Sequence, residues 1–513
     1  MRYSRVTAGA FIVSLAACAV GPDFKRPAPP AASGYGSASL VKPPATNGAD
    51  GDAQRFVAGM DIPNQWWTLF RSTKLNRLVE QALSANPNVG AAQAALRQAH
   101  ELYLAQWTSF FPVIQGNFSG TRAKNALGTI ANPTSLPQAN PYYNLYTAQL
   151  SVSYLPDVFG GTRRAVELAK AQVQSNRFQL EATYLTLTSN VVTAAVNLAS
   201  LRAQIAATEG IIQIETNSLG VVRRQFDLGG ASRADVLTQE AALTQTQATL
   251  PPLQKQLAQQ RNQLMTLIGR FPNQDRGETF DLATLHLPEE LPLSLPSQLV
   301  EQRPDVRAAE AQLHAASADI GAAIANQLPQ ITITGLLGGS SGGLGTLFLP
   351  ASGVWTIGAS VAQTLFDAGT LEHKKLATVA AFEKAAAQYR STVLSAFQDV
   401  ANALRALQSD ADALRAQTAA EDTAAASLSL SQQQYELGAV NYLTLLNAQQ
   451  TYQNAVINRL RAQAARYTDT AALFQALGGG WWNRTDVDPK SNGSPGVFSL
   501  PPVQEIKLPR AAR

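Results

Sequence analysis

Two stretches of this chain, residues 162–225 and 370–436, contain no proline, and the second contains no glycine either. Nothing else in the sequence limits the fold as strongly. Both are rich in Ala, Leu and Gln, which favour helix, so each predicts one helix of about 100 Å at ~1.5 Å per residue. An apolar stripe that long cannot be buried inside a globule and needs partner helices of similar length. Residues 232–267 and 441–477 supply the return segments, and Pro251-Pro252 should kink or break the first of them. The reversals are marked. Gly229 fits a left-handed helix cap, and Ser232 with Asp235 forms a capping-box pattern with Asp in place of Glu. Gly438 and Asn441 stand in the corresponding places. Both helical hairpins therefore turn at one end of the molecule, far from the rest.

The correspondence extends along the chain. Pro87-Asn88-Val89-Gly90-Ala91-Ala92 recurs as Pro304-Asp305-Val306-Arg307-Ala308-Ala309, an offset of 217 residues (304 − 87). Phe226-Asp227-Leu228-Gly229 matches Tyr435-Glu436-Leu437-Gly438, an offset of 209 (438 − 229). Two matches in order, with a small deletion between them, indicate a duplicated unit. Each unit reads as a helix, two strands and two very long helices. The expected division is an export signal over 1–17, a lipidated start and Pro/Ala/Gly/Ser-rich linker over 18–60, a first repeat over 61–285, a second over 286–480 and an irregular tail over 481–513.

The strands decide the setting. Tyr146, Ala148, Leu150, Val152 and Tyr154 alternate with Thr147, Gln149, Ser151 and Ser153. Trp355, Ile357, Ala359 and Val361 alternate with Thr356, Gly358, Ser360 and Ala362; Ile331 and Ile333 alternate with Thr332 and Thr334; Ile114, Gly116 and Phe118 do so more weakly. Alternation places one row on each face of a sheet. By itself it fits a soluble sandwich as well as a barrel wall. The polar row is small and uncharged, which suits a lumen. Tyr146 and Tyr154 stand roughly 26 Å apart at ~3.3 Å per residue, the spacing of the aromatic girdles of outer-membrane barrels. Four strands are too few to close a barrel, and open edges in a membrane leave amides without partners. Other copies must complete it, and three would bring about twelve strands. The connections over 122–144 and 338–353 carry Gly, Ser, Asn and Pro and read as external loops.

Arg2 and Arg5 precede a short apolar core over 6–15, the pattern of an export signal. It ends in Leu15-Ala16-Ala17-Cys18, similar to the lipobox of bacterial lipoproteins, in which the cysteine becomes the acylated first residue. Each buried methylene of such a chain contributes ~0.8 kcal/mol to membrane binding. Residue 19 is Ala and not the Asp that retains many such lipoproteins in the inner membrane. The formal charge of +4 falls to +2 without Arg2 and Arg5, and gives no case for nucleic-acid binding. The one cysteine precludes an intrachain disulfide, and four scattered histidines argue against a histidine-rich metal site. Gly338-Gly339-Ser340-Ser341-Gly342 formally matches a nucleophile elbow, but that motif needs a strand before and a helix after it; here a strand follows, and a flexible loop is expected. No phosphate-binding Walker pattern occurs. The chain reads as no enzyme, with no cofactor, and its energy must come from a partner.

Taken in order, these residues resemble the TolC-type outer-membrane efflux factors, in their lipoprotein (NodT/OprM-like) branch. The resemblance covers nearly all of the chain after the signal. Its carriers are Cys18-Ala19-Val20-Gly21-Pro22-Asp23-Phe24, Trp66-Trp67 with Phe70, Asp157-Val158-Phe159-Gly160-Gly161, Arg303-Pro304-Asp305-Val306, Phe366-Asp367-Ala368-Gly369 and Tyr435-Glu436-Leu437-Gly438 with Tyr442-Leu443-Thr444-Leu445-Leu446. It implies a mainly α fold with a membrane β-barrel: a homotrimer with a twelve-stranded barrel, four strands per chain, continued by a long periplasmic α-helical barrel. An equatorial belt comes from the termini and the mid-chain linker. The implied setting is the cell outer membrane, lipid-anchored through Cys18 and extending into the periplasm. The implied partners are a periplasmic adaptor and an inner-membrane transporter of the resistance-nodulation-division type, and the implied task is the export of small molecules. A duct for type I protein secretion is the alternative within the same architecture; a structural coiled-coil trimer is a third reading. The hairpin ends, with Phe226, Gly229, Asp235, Tyr435 and Gly438, should meet the adaptor. Leu443 and Asn447, four residues apart on one helix face, are implied as the channel constriction, where many relatives carry Asp in place of Asn447.

Overall fold

The computed structural model describes residues 19–30, 34–35, 54–124, 142–275, 277–294 and 296–484. The export signal, Cys18, the tail beyond 484 and most of the first strand connection lie outside the described residues. The first half runs β1 (Arg55–Ala58), α1 (Thr73–Ala85), α2 (Pro87–Trp107), β2 (Val113–Lys124), β3 (Tyr142–Tyr154), α3 (Gly161–Asp227) and α4 (Arg233–Leu267). The second runs β4 (Glu290–Leu293), α5 (Pro296–Gln302), α6 (Pro304–Ala325), β5 (Gln330–Ser341), β6 (Gly353–Ala362), α7 (Thr370–Glu436) and α8 (Tyr442–Ala476).

The duplication is metric as well as sequential. α3 and α7 are each 67 residues long, and α4 and α8 are each 35. The offset of 217 that relates α2 to α6 still holds at the first residues of β2 and β5 (330 − 113), and it has become 209 at α3 and α7 (370 − 161). The deletion therefore falls between paired strands, where chain can be lost without shifting a helix. Local chemistry starts the long helices alike. Asp157 accepts from the amides of Thr162 and Arg163, both at 3.0 Å. Asp367 accepts from Gly369 at 3.0 Å and Leu371 at 2.7 Å. Each carboxylate serves the free amides and the positive end of a helix dipole.

Two expectations change. α4 passes through Pro251 and Pro252 without a break. Each proline removes one amide donor, but the residues whose carbonyls lose it, Gln247 and Ala248, are exposed, so water can replace the bond. Gly338 to Ser341 are not loop but the last residues of β5, because they pair with β3 as far as Ser341 opposite Tyr146. β2 likewise extends to Lys124, paired with Tyr142.

The strands form one antiparallel sheet in the order β2-β3-β5-β6. Its register aligns the rows read from sequence. Gly116, Leu150, Leu337 and Trp355 lie side by side, as do Ile114, Val152, Gly335 and Ile357. One strand position on, Gln115, Ser151, Leu336 and Thr356 fall in line on the other face.

The main core gathers around the long helices and the segments that flank them. The segment after β1, the linker holding β4 and the end of α8 meet there. Trp66 stacks on Phe474 with centroids 5.3 Å apart, the His286 amide donates to Phe70 at 3.1 Å and the Tyr467 hydroxyl to Leu285 at 2.7 Å. β1 and β4 pair in parallel beside them. Each large apolar side chain fully buried here contributes about 1.5–3 kcal/mol. α3 holds a window apolar enough to cross a membrane, but 56% of it is buried. α2, α4, α6 and α8 all pack against α3, so it is a core helix.

Candidate functional site

Three places follow from this frame: the sheet faces, the hairpin tips and the strap after Cys18. On one sheet face large apolar residues stand in the open. Ile357 is 76% exposed and Trp355 72%, beside Ile114, Leu150 and Leu337. On the other, small polar side chains bond across the strands: Asn117 Nδ2 donates to Ser151 Oγ at 3.2 Å, and the Ser119 and Thr147 hydroxyls lie 2.6 Å apart. The outer strands β2 and β6 each have a partner on one side only among the described residues. A face of exposed aliphatic and aromatic side chains suits hydrocarbon, a hydroxyl-lined face suits water, and edges without partners suit neither.

The tips repeat one geometry. The Gly229 amide donates to Phe226 at 2.9 Å and Gly230 to Gln225 at 2.7 Å; in the second hairpin Gly438 donates to Tyr435 at 3.0 Å and Ala439 to Gln434 at 2.8 Å. This is the Schellman pattern, with Gly229 at φ 76° and Gly438 at φ 72°. The next helices are capped differently. Ser232 and Asp235 form a reciprocal box, with Asp235 N to Ser232 Oγ at 3.1 Å and Ser232 N to Asp235 Oδ2 at 2.9 Å. The Ser232 hydroxyl, which donates to Asp235 Oδ2 at 2.7 Å, and then the Ser232 amide hold the Asp235 carboxyl below its ordinary pKa. Asn441 instead accepts from the Thr444 amide at 3.0 Å and hydroxyl at 2.8 Å, so the second tip has no carboxylate at this place.

The two tips touch. The Tyr435 hydroxyl donates to Gln225 Oε1 at 2.6 Å, and its ring meets Tyr442 edge-on at 5.6 Å. Val222, Ala242, Tyr442, Leu445 and Leu446 form a small buried cluster between the hairpins. Burial, and then the nearby Asp235, raises the Tyr435 pKa. Phe226, Gly229, Asp235, Tyr435 and Gly438 thus share one end of the molecule, but Tyr435 ties the hairpins together and is half-buried. The most exposed apolar side chains at this end were missed in the sequence: Leu228 at 87% and Leu437 at 84%. The offset of 209 pairs them and could have found them. Leu443 and Asn447 both lie on the exposed side of α8, opposite buried Tyr442, Leu445, Leu446 and Gln449.

Next to Cys18, residues 19–30 form a strap over the sheet end of the helices. The Val20 amide donates to Phe159 at 3.1 Å. Buried Arg164 binds the Val20 carbonyl at 3.2 Å and Asp23 at 2.7 Å. Phe24 stacks on His314 at 4.3 Å, and His314 Nε2 lies 2.7 Å from Glu167 Oε1. Burial pushes that carboxyl up, but hydrogen bonds from His314 and then Arg164, with their charges, hold it below its ordinary pKa. Ala19 packs on Gly160, one residue before α3 and six after β3. No group of three or more His, Cys, Asp or Glu placed to hold a metal occurs among the described residues.

The outer membrane efflux protein family matches residues 78–270 and 295–479. The chain is 28% identical over 470 residues to a solvent efflux pump outer membrane protein, SrpC, of Pseudomonas putida, covering 92% of this chain and 97% of that one. It is equally 28% identical over 474 residues to a cation efflux system protein, CusC, of Escherichia coli, covering 91% and 97%. The structure of the outer-membrane channel OprN superposes with a TM-score of 0.80 at 26% identity, covering 90% of this chain and all of that one.

Proposed function

The chain belongs to the outer membrane efflux protein family, and on that premise we propose that it is the exit duct of a tripartite pump for small molecules. Three copies complete the barrel, with the apolar sheet face in lipid and the hydroxyl-lined face around the lumen. The long helices carry the tube to a periplasmic adaptor, and an inner-membrane transporter of the resistance-nodulation-division type supplies the energy. The single observation that carries this reading is the four-stranded sheet with one apolar exposed face and two edges that have no partner among the described residues. Such a sheet has no stable place in a monomer. The chain itself is a conduit and not an enzyme. Relatives of equal identity are named for solvent and for cation efflux, so the cargo is chosen by the transporter.

The strap supports acylation at Cys18, because it places residue 19 at the junction of strand and helix, where the membrane ends. The hairpin ends are the docking points, with Leu228 and Leu437 added to those expected from sequence. The exposed row of Leu443 and Asn447 lines the constriction, closed by packing and amide hydrogen bonds. Conductance of the reconstituted trimer tests this. Leu443→Ala with Asn447→Ala should raise it; no change would place the constriction elsewhere. A chain that remains monomeric in detergent, or forms no pores, would overturn the duct itself.

A further inference from the structure

The interior of the first hairpin is polar where the second is not. In the first, Glu215 of α3 faces Gln239 and Thr246 of α4. Gln239 Nε2 donates to the Glu215 carbonyl at 2.9 Å and Thr246 Oγ1 to Glu215 Oε1 at 3.0 Å. The offset of 209 carries these positions to Ala424, Ala448 and Ala455 (215, 239 and 246 + 209), all buried in the second hairpin. Three alanines therefore suffice to pack this layer of the fold, and the polar set answers some other need.

That set is also short of hydrogen bonds. Glu215 is 1% exposed and Gln239 0%, yet Glu215 Oε2 and Gln239 Oε1 have no partner. Across the seam from α8, buried Gln449 donates to Ser218 Oγ at 3.1 Å, one turn from Glu215. Its own Oε1, and the hydroxyl of buried Tyr442, lack partners too. Three of these four atoms are carboxyl or amide oxygens, which accept and cannot donate while Glu215 is ionised. Among the described residues no cation pairs with Glu215. Tyr442 of α8 is the titratable group that interacts with it, and that ring also feels Tyr435 of α7 and Asp235 of α4; the charged Arg223 of α3 and Glu240 of α4 pair with each other at 3.0 Å, and α4 gives Glu215 the Gln239 and Thr246 bonds.

We propose that Glu215 is a proton-dependent brake on the seam between the two hairpins: neutral, it keeps the tip packed, and on releasing its proton to solvent it draws water in and loosens it. A neutral carboxyl adds a second donor to a set in which only the Tyr442 hydroxyl can donate and three oxygens can only accept. An ionised one is a buried charge without a counter-ion, relieved only by hydration. Burial raises the Glu215 pKa in the packed seam. A raised carboxyl favours the packed state fully below its ordinary, hydrated pKa and loses that effect as pH rises through the packed-state value. The tip is thus held in acid and released toward alkaline pH.

The inference rests on the tip being the constriction, and the experiment separates the two. Conductance of the full-length trimer in a planar bilayer is measured with the helical side taken from about pH 5 to about pH 9. The wild type should open as pH rises, by up to about tenfold per pH unit for each proton released. Glu215→Gln should stay low at every pH. So should the triple variant Glu215→Ala, Gln239→Ala, Thr246→Ala, which copies the second hairpin and is expected to fold even if the single variant does not. Tyr442→Phe, which deletes one orphaned hydroxyl, should lower conductance at all pH values. A wild type indifferent to pH, or folded Glu215 variants that keep the wild-type profile, would overturn the brake. If Leu443→Ala with Asn447→Ala changes conductance while the Glu215 variants do not, the brake alone fails. If that pair changes nothing, the constriction reading fails and the brake falls with it.

Discussion

Gly229 and Gly438 have nothing within 4 Å of where a Cβ would stand. A side chain there meets no neighbour and carries only the strain of a left-handed backbone, about 1–2 kcal/mol. Gly438→Val should therefore leave the trimer folded while weakening cross-linking to the adaptor; unchanged cross-linking and export would remove the tip from the docking surface. Gly21 is the opposite case. Its Cβ would fall 2.4 Å from the Gly321 backbone, so Gly21→Ala should lift the strap, seen as faster tryptic cleavage after Lys25. The tip glycines were legible because a cap is local chemistry. The contact of Gly21 with Gly321 was not, since it joins residues that only the finished fold brings together. Asp235 adds a pH effect. Its depressed carboxyl contributes cap stability above the ordinary carboxylate pKa of about 4, and that contribution is lost as pH falls through the folded value. Amide protection should fade in acid over residues 229–236 and persist over 438–445, where Thr444 replaces the carboxylate. Asn447→Asp should raise cation selectivity by placing a charge in every subunit's share of the constriction.

At the scale of elements, the strands were the most readable part of the sequence. A period of two fixes the face of every residue once register is known, and the register put Leu150 beside Leu337 and Trp355 as the alternation required. Leu150→Arg or Ile357→Arg should destabilise the barrel by roughly 2–4 kcal/mol if near the midplane, measured as a loss of trimer in detergent. Thr356→Arg, on the other face, should preserve the trimer and shift ion selectivity. The proline pair in α4 misled because helix propensity counts the lost donors and not where the freed carbonyls point. Tyr435 shows a similar limit. Its place beside Gly438 was legible, but its bond to Gln225 of the other hairpin required two helices from different repeats to lie side by side.

For the whole molecule, the duplication was visible in sequence, while the belt was visible only in outline. Trp66, Phe70, Phe280, Leu291 and Phe474 come from segments with no shared period, and nothing local says that they form one core. Cys18→Ser should reduce delivery to the outer membrane yet leave pores formed by barrels already inserted. Mass spectrometry finding an unmodified Cys18, or residues 1–17 still attached, would refute acylation. The matched helix lengths have one more consequence. Since α3 equals α7 and α4 equals α8, a ring of copies ends in a level rim where first and second hairpins alternate. That rim has a phase. A collar rotated by one hairpin meets Thr444 where it had met Asp235, and only a step of two hairpins restores the match, so the angular setting of a partner is fixed by chemistry on a surface whose shape would allow twice as many settings.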